Sequence, residues 1–260
     1  MVNKIISEDY ADIILENRLL ESVAANYEAI PINNRYSMVS VPVNLIDRCS
    51  TEQFGYQAFP FCYTTQASSS LNASRVTDVQ RNPSLGMRGQ GILVAVIDTG
   101  INYLHEAFIK QDKTTKITSI WDQTINEPEK ATNEMGFGTI YSKDVINFAL
   151  KSEDPHSVVP TTDDTGHGTA IAGIIAGNEN SGENFSGVVP DAEFIIVKLK
   201  HAKKITKEMF CISEDTVCYQ ETDVLFALNY AMMQADRLKK PLSICVAIGT
   251  NQGSMMEGES

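Results

Sequence analysis

This 260-residue sequence predicts an α/β fold, a parallel sheet flanked by helices. Three observations carry that expectation. Ile92–Ile97, Phe194–Leu199 and Leu242–Ile248 are largely apolar runs, the pattern of strands covered on both faces of a parallel sheet. Gly168–Ala176, rich in small residues, and Glu221–Leu238, with Val224, Leu225, Leu228, Ala231, Met232 and Ala235 on one side, read as helices. Strands that alternate with helices form βαβ units, and those units build parallel sheets.

Residues 1–66 differ in character and predict a small α+β domain ahead of the sheet. Ile14, Leu15, Leu19, Leu20 and Val23 recur at helical spacing, which predicts an amphipathic helix over about residues 8–25. Val39, Val41 and Val43 alternate with Ser40, Pro42 and Asn44, as in a strand, and Pro42 points to an edge position. Tyr63–Ser70 is a small polar run with the composition of an exposed linker, so a boundary is placed near Gln66. Residues 67–260 then form a second domain. Within it, residues 111–165 read as a long polar surface insertion that holds the only tryptophan, Trp121. Gly187–Ala192 punctuates the chain before the second strand of the sheet.

Composition narrows the function. Hydrophobic residues at 43% and charged residues at 21% fit a globular protein with a real core. A net charge of −12 argues against a nucleic-acid partner, which needs a basic face to meet phosphates, and against docking on an anionic membrane. No run approaches the length of a transmembrane helix. The N-terminal Met1–Asp9 lacks the apolar core of a secretory signal, which predicts cytoplasmic synthesis. The five cysteines, Cys49, Cys62, Cys211, Cys218 and Cys245, are odd in number and none are in Cys-x-x-Cys spacing. Neither a disulfide framework nor a zinc site is expected.

Two short segments carry chemistry. Gly91–Gly100 (GILVAVIDTG) ends an apolar strand on Asp98, where Thr99-Gly100 lets the chain turn. Ligands of α/β sheets bind at the carboxyl ends of the strands, although a lone strand-end aspartate is also a common turn cap. Asp164–Thr169 (DTGHGT) sets His167 between two glycines at a helix start, with Thr165 or Asp164 as candidate caps. Ala172-Gly173 and Ala176-Gly177 follow and allow close helix packing. A histidine at a helix start is by itself an ordinary surface residue. The two segments together, in this order, are far more specific.

As a pair they resemble the Asp and His segments of the subtilases, the subtilisin-like serine proteases of peptidase family S8. In that family the triad runs Asp, His, Ser along the chain. The resemblance implies that Asp98 orients the imidazole and that His167 is the general base. Ile117–Gln123, Val197–Leu199, Cys218–Asp223, Pro241–Cys245 and Gly249–Gly253 narrow it to the Csp-type subtilases, whose named members are germination proteases. The match runs over roughly residues 60–254, with a looser match of the N-terminal segment to the family's prosegment.

On that layout residues 1–66 are a prosegment, cut near Gln66, and residues 67–260 are the N-terminal part of the peptidase domain. The chain stops where the family's inserted jelly-roll begins, so the oxyanion Asn and the nucleophilic Ser lie beyond it and the fragment is inactive as written. Ala247, Ile248 and Gly249 would line the substrate cleft by strand addition. The partners implied are a polypeptide substrate and the chain's own prosegment, and spore association follows from the family.

Other serines do not fill the gap. Ser254, Ser260 and Ser68–Ser70 lack the shaped turn and nearby base that a nucleophile needs. Cys245 sits in an apolar run and reads as packing. His105, His156 and His201 have no partners at metal-ligand spacing, so no metal site is expected. The oxygen-rich loop Asn178–Asn184 has donors for Ca²⁺, but such loops are more often solvated, and no cofactor is expected. A pseudoprotease that binds a partner through the former cleft is the alternative function. An α/β ligand-binding protein with coincidental segments is the third.

Overall fold

The structure, a computed structural model, describes residues 3–23, 25–46, 54–55, 58–65, 86–126, 134–180 and 185–249. The chain divides into two compact units. One comprises residues 1–65, 200–229 and 248–260, and the other residues 66–199 and 230–247. Among the described residues no helix is long and apolar enough to cross a membrane.

The first unit opens on a three-stranded antiparallel sheet, order β1-β3-β2, of β1 (Tyr10–Glu16), β2 (Ala29–Pro31) and β3 (Tyr36–Pro42). The expected helix over residues 8–25 is therefore a strand over Tyr10–Glu16. Ala11, Ile13 and Leu15 alternate inward and pack with Val39 and Val41, a period of two that the adjacent Ile14-Leu15 pair disguises. A 3-10 turn, Asn17–Leu19, and α1 (Leu20–Val23) remain helical. Pro42 ends a central strand rather than lying on an edge strand. It pairs with Tyr10 on β1, but β2 reaches only Ser37–Val39, so its other side meets no strand of that sheet.

A buried polar cluster joins the early and late segments of this unit. Lys203 Nζ donates to Asp12 Oδ1 at 2.8 Å and to the carbonyls of Lys4 and Tyr10. Asp12 Oδ2 accepts from Gln220 Nε2 at 2.8 Å. Lys203 leads into α5 (Lys204–Met209), whose Ile205 packs against β1 and β3.

The unit's second small sheet has the order β11-β4-β9. Its strands are β4 (Cys62–Thr65), β9 (Tyr219–Gln220) and β11 (Ile248–Gly249), all antiparallel. Tyr63–Thr65 is thus the middle of a sheet and not a linker, while residues 66–70 lie outside the described residues. Cys62 and Cys218 meet there as free thiols beside Ala202.

The second unit holds the predicted sheet, order β10-β5-β8-β6-β7. β5 (Leu93–Asp98), β6 (Ile117–Asp122), β8 (Glu193–Lys198) and β10 (Leu242–Val246) run parallel, and β7 (Thr139–Ser142) is antiparallel at the edge. Every residue of β5 is buried, which is why its sequence carries no polar alternation. Val94, Val96, Phe194 and Ile196 form a core with Ala172 and Ala176 of α4 (His167–Ala176).

The described residues of the 111–165 segment prove to be integral to that sheet rather than a surface insertion. They supply β6, β7, α2 (Lys143–Ala149) and α3 (Pro155–Val158). Trp121 is fully buried, meets Phe137 edge-on and Tyr230 at a tilt, and donates its indole N–H to the Phe137 carbonyl at 3.1 Å. The predicted helix Glu221–Leu238 is α6, with those bounds.

Candidate active site

β5 runs buried to its last residue, so Asp98 arrives at the carboxyl end of a central parallel strand with its side chain 1% exposed. Gly100 then turns the chain at φ 123°, where a Cβ would lie 2.6 Å from the Thr162 carbonyl oxygen. Only glycine fits that conformation at that distance.

His167 is the first residue of α4. Gly166 precedes it at φ 76°, and Gly168 follows in contact with the Asp98 segment: a Cβ on Gly168 would run into the Gly100 carbonyl. The glycine is what lets the helix start touch the strand end. Its amide donates to Thr99 Oγ1 at 3.0 Å.

These two placements bring the imidazole to the carboxylate. His167 Nδ1 lies 2.8 Å from Asp98 Oδ1, and the ring is 20% exposed. A carboxylate is an acceptor, so the proton of this bond sits on Nδ1 and leaves Nε2 as the basic nitrogen. Asp98 Oδ1 also accepts from the Thr99 amide at 2.7 Å. Oδ2 is buried without a hydrogen-bond partner among the described residues. The arrangement fixes one tautomer and places a buried negative charge where an imidazolium would form.

The cap of α4 is neither Thr165 nor Asp164 alone. Thr165 Oγ1 accepts from the His167 amide at 3.2 Å, and Asp164 instead meets Thr162 and Lys198. The main cap is Asp163, which accepts from the amides of Gly166 at 3.0 Å and Thr169 at 2.8 Å. Burial pushes its carboxyl up, but hydrogen bonds from the Thr169 and Thr99 hydroxyls and the two amides outweigh this and hold it below the ordinary value.

Burial first, and then the Asp98 charge, push up the thiol of Cys245 on the strand beside β5, which disfavours the thiolate that a substitute nucleophile needs. His105 caps a turn by accepting from the Ala107 amide, and His156 lies edge-on to Tyr103. Among the described residues no group of three or more His, Cys, Asp or Glu is placed to hold a metal ion.

The loop considered for calcium begins with an oxygen already taken. Asn178 Oδ1 accepts from Lys116 Nζ at 3.0 Å, and the same ammonium bonds to the carbonyls of Ala176, at 2.7 Å, and Pro190. A lysine charge fills that ring of oxygens. Burial lowers the Lys116 pKa to about 8. Residues 181–184 of the loop lie outside the described residues.

Of the residues expected to line a substrate cleft, Ile248 and Gly249 form β11 and pair with Thr65 and Thr64, while Ala247 lies between β10 and β11. On its other edge β4 pairs with Tyr219 and Gln220, residues the sequence reading had not singled out for the cleft. Two residues are too few to show a strand period.

Comparison with known proteins bears on this geometry. The sequence pattern of the subtilase family (peptidase S8) matches residues 89–212, which contain both Asp98 and His167. Bacillopeptidase F of Bacillus subtilis is 33% identical over 121 residues, 46% of this chain and 7% of that protein. A C5a peptidase of Streptococcus pyogenes is 31% identical over 119 residues, 44% of this chain and 10% of that protein. The solved structure of the Clostridium perfringens CspB protease is similar with a TM-score of 0.57 and 33% identity, over 72% of this chain and 35% of that one. The chain therefore spans a small part of these curated relatives.

Proposed function

We propose that the chain belongs to the subtilase family and carries the base and orienting carboxylate of a serine endopeptidase. The observation that supports this best is the 2.8 Å contact between His167 Nδ1 and a carboxylate buried at a strand end. In the proposed reaction His167 Nε2 takes the proton of an attacking serine hydroxyl as the acyl-enzyme forms, then returns it to the leaving amine. Asp98 holds the tautomer and stabilises the imidazolium. The chemistry needs no cofactor.

The 260 residues contain no Gly-Thr-Ser-type segment. The polypeptide of this sequence is thus predicted not to hydrolyse peptides, since loss of the nucleophile removes most triad catalysis. Retention of a hydrogen-bonded Asp–His pair favours the enzyme reading over a pseudoprotease, which has no need of it.

The substrate is proposed to be an extended polypeptide, and the chain's own N-terminal segment to be its first occupant. β4 lies between β9 and β11 as a main chain held by strand addition on both edges. It ends one residue before Gln66, the proposed point of self-cleavage. Expression of the complete open reading frame, followed by intact-mass analysis, tests this reading. Release of a fragment ending near Gln66, abolished by His167→Ala, is expected. A chain left uncut, or cut equally well in the variant, overturns it.

A further inference from the structure

We propose that Asp163 is a positioning residue for the Asp98–His167 pair, holding the two catalytic segments in register through Thr99 and Thr169. The inference rests on the reading of that pair as orienter and base. Asp163 touches neither the imidazole nor the Asp98 carboxylate. What it does is gather donors from both sides of them.

Oδ1 of Asp163 accepts from Thr99 Oγ1 at 2.7 Å and from the Gly166 amide at 3.0 Å. Oδ2 accepts from the amide and the hydroxyl of Thr169 at 2.8 and 2.6 Å. Thr99 follows Asp98 directly, and its amide is bonded to the Asp98 carboxylate. Gly166 and Thr169 bracket His167. One half-buried carboxylate thus spans the joint between a strand end and a helix start that lie 69 residues apart.

The chemistry of the clamp demands a carboxylate. Donors converge on both oxygens, and an ionised carboxyl offers acceptors on both. An asparagine of the same shape offers one oxygen. Its amino group would turn N–H donors either on Thr99 and Gly166 or on Thr169. The backbone amide of that half, Gly166 or Thr169, would then face another N–H, and the helix start would be free to shift against Asp98. A displacement of about 1 Å at such a joint is enough to cost on the order of 100-fold in rate.

The test uses the 260-residue chain and the hydrogen-bonded Nδ1 proton of His167, read by proton NMR against Asp98→Asn as the reference for its loss. Asp163→Asn is expected to lose that resonance while the backbone spectrum stays dispersed. Thr169→Val, which keeps the amide and removes the hydroxyl, is expected to speed exchange of the ring proton about tenfold, as the loss of one charge-assisted hydrogen bond implies. A purely structural aspartate would lower the melting temperature and leave that exchange unchanged below it. If Asp163→Asn does not fold, Thr169→Val and Thr99→Val decide. A resonance and exchange rate unmoved in the folded variants overturn the positioning role and leave the pair intact. Absence of an Asp98-dependent resonance in the wild type overturns the reading of the pair and this inference with it.

Discussion

Nδ1 of His167 lies 2.8 Å from Oδ1 of Asp98, and the carboxylate of that bond is 1% exposed. A charge so shielded from water acts strongly on its neighbour, and its geometry dictates which ring nitrogen holds the proton. Asparagine would keep the shape and reverse the tautomer preference. In the protein from the complete open reading frame, Asp98→Asn is expected to lower kcat by about 10⁴-fold with little change in KM, as an inverted tautomer implies. Steady-state kinetics on a peptide substrate measure it.

Gly168 is where the two segments touch. A methyl group there would meet the Gly100 carbonyl, which is backbone and has nowhere to retreat. Gly168→Ala is expected to destabilise the second unit by about 1–3 kcal/mol through overpacking. The His167 ring proton should shift as well. Urea denaturation and the same NMR spectrum check both.

Asp12 and Lys203 are a fully buried ion pair at 2.8 Å, and Gln220 shares the carboxylate. Burial is the largest influence on Lys203 and lowers its affinity for a proton, while Asp12 works against it. Asp12→Ala would leave that buried cation without its counter-charge, held only by the carbonyls of Lys4 and Tyr10. The expected cost is about 3–5 kcal/mol, the range for a broken buried pair. Chemical denaturation of the variant measures it, and a change under 1 kcal/mol would contradict the role given to the pair, since exposed pairs contribute about that much.

Glu193 gathers three lysines, accepting from Lys143 at 2.7 Å, Lys110 at 3.3 Å and Lys240. Burial pushes its carboxyl up, but Lys143 and Lys240, then the Lys110 charge, bring it down to about 2. A folded-state value below the ordinary one near 4.5 contributes stability above that pH, and the contribution disappears as pH falls toward 2. The lysines are about one-third exposed, so water screens part of the effect. Glu193→Gln is expected to cost on the order of 1–2 kcal/mol at pH 7 and almost nothing near pH 2. Denaturation at the two pH values distinguishes this from a packing defect, which would persist in acid.

The sheet and the two segments that bring Asp98 and His167 together were legible because buried parallel strands and glycine-flanked turns leave marks in consecutive residues. Leu93–Asp98 is apolar because both its faces are covered, and His167 sits between glycines because its helix start touches a carbonyl. Other elements were misread for physical reasons. Ile14, Leu15, Leu19 and Leu20 satisfy a helical period as well as a strand that ends at Glu16, and tertiary pairing with Met38–Val41 decided it. β6 was taken for part of a surface insertion because Thr118 and Ser119 interrupt its apolar run, yet Ser119 is buried within the sheet. Asp163 escaped notice because its partner Thr99 is 64 residues away, and no local pattern announces such a bond. The β4 strand looked like a linker because its pairing partners, Tyr219-Gln220 and Ile248-Gly249, come from the far end of the sequence.

The most direct test of the central claim is labelling by a fluorophosphonate, which reacts with a serine only where a base activates it. The protein from the complete open reading frame, and its His167→Ala variant, should be treated side by side and read by intact mass. One adduct on a serine in the first, and none in the second, is the predicted result. No adduct in either, or equal labelling of both, would contradict the assignment of His167 as the base of a serine endopeptidase.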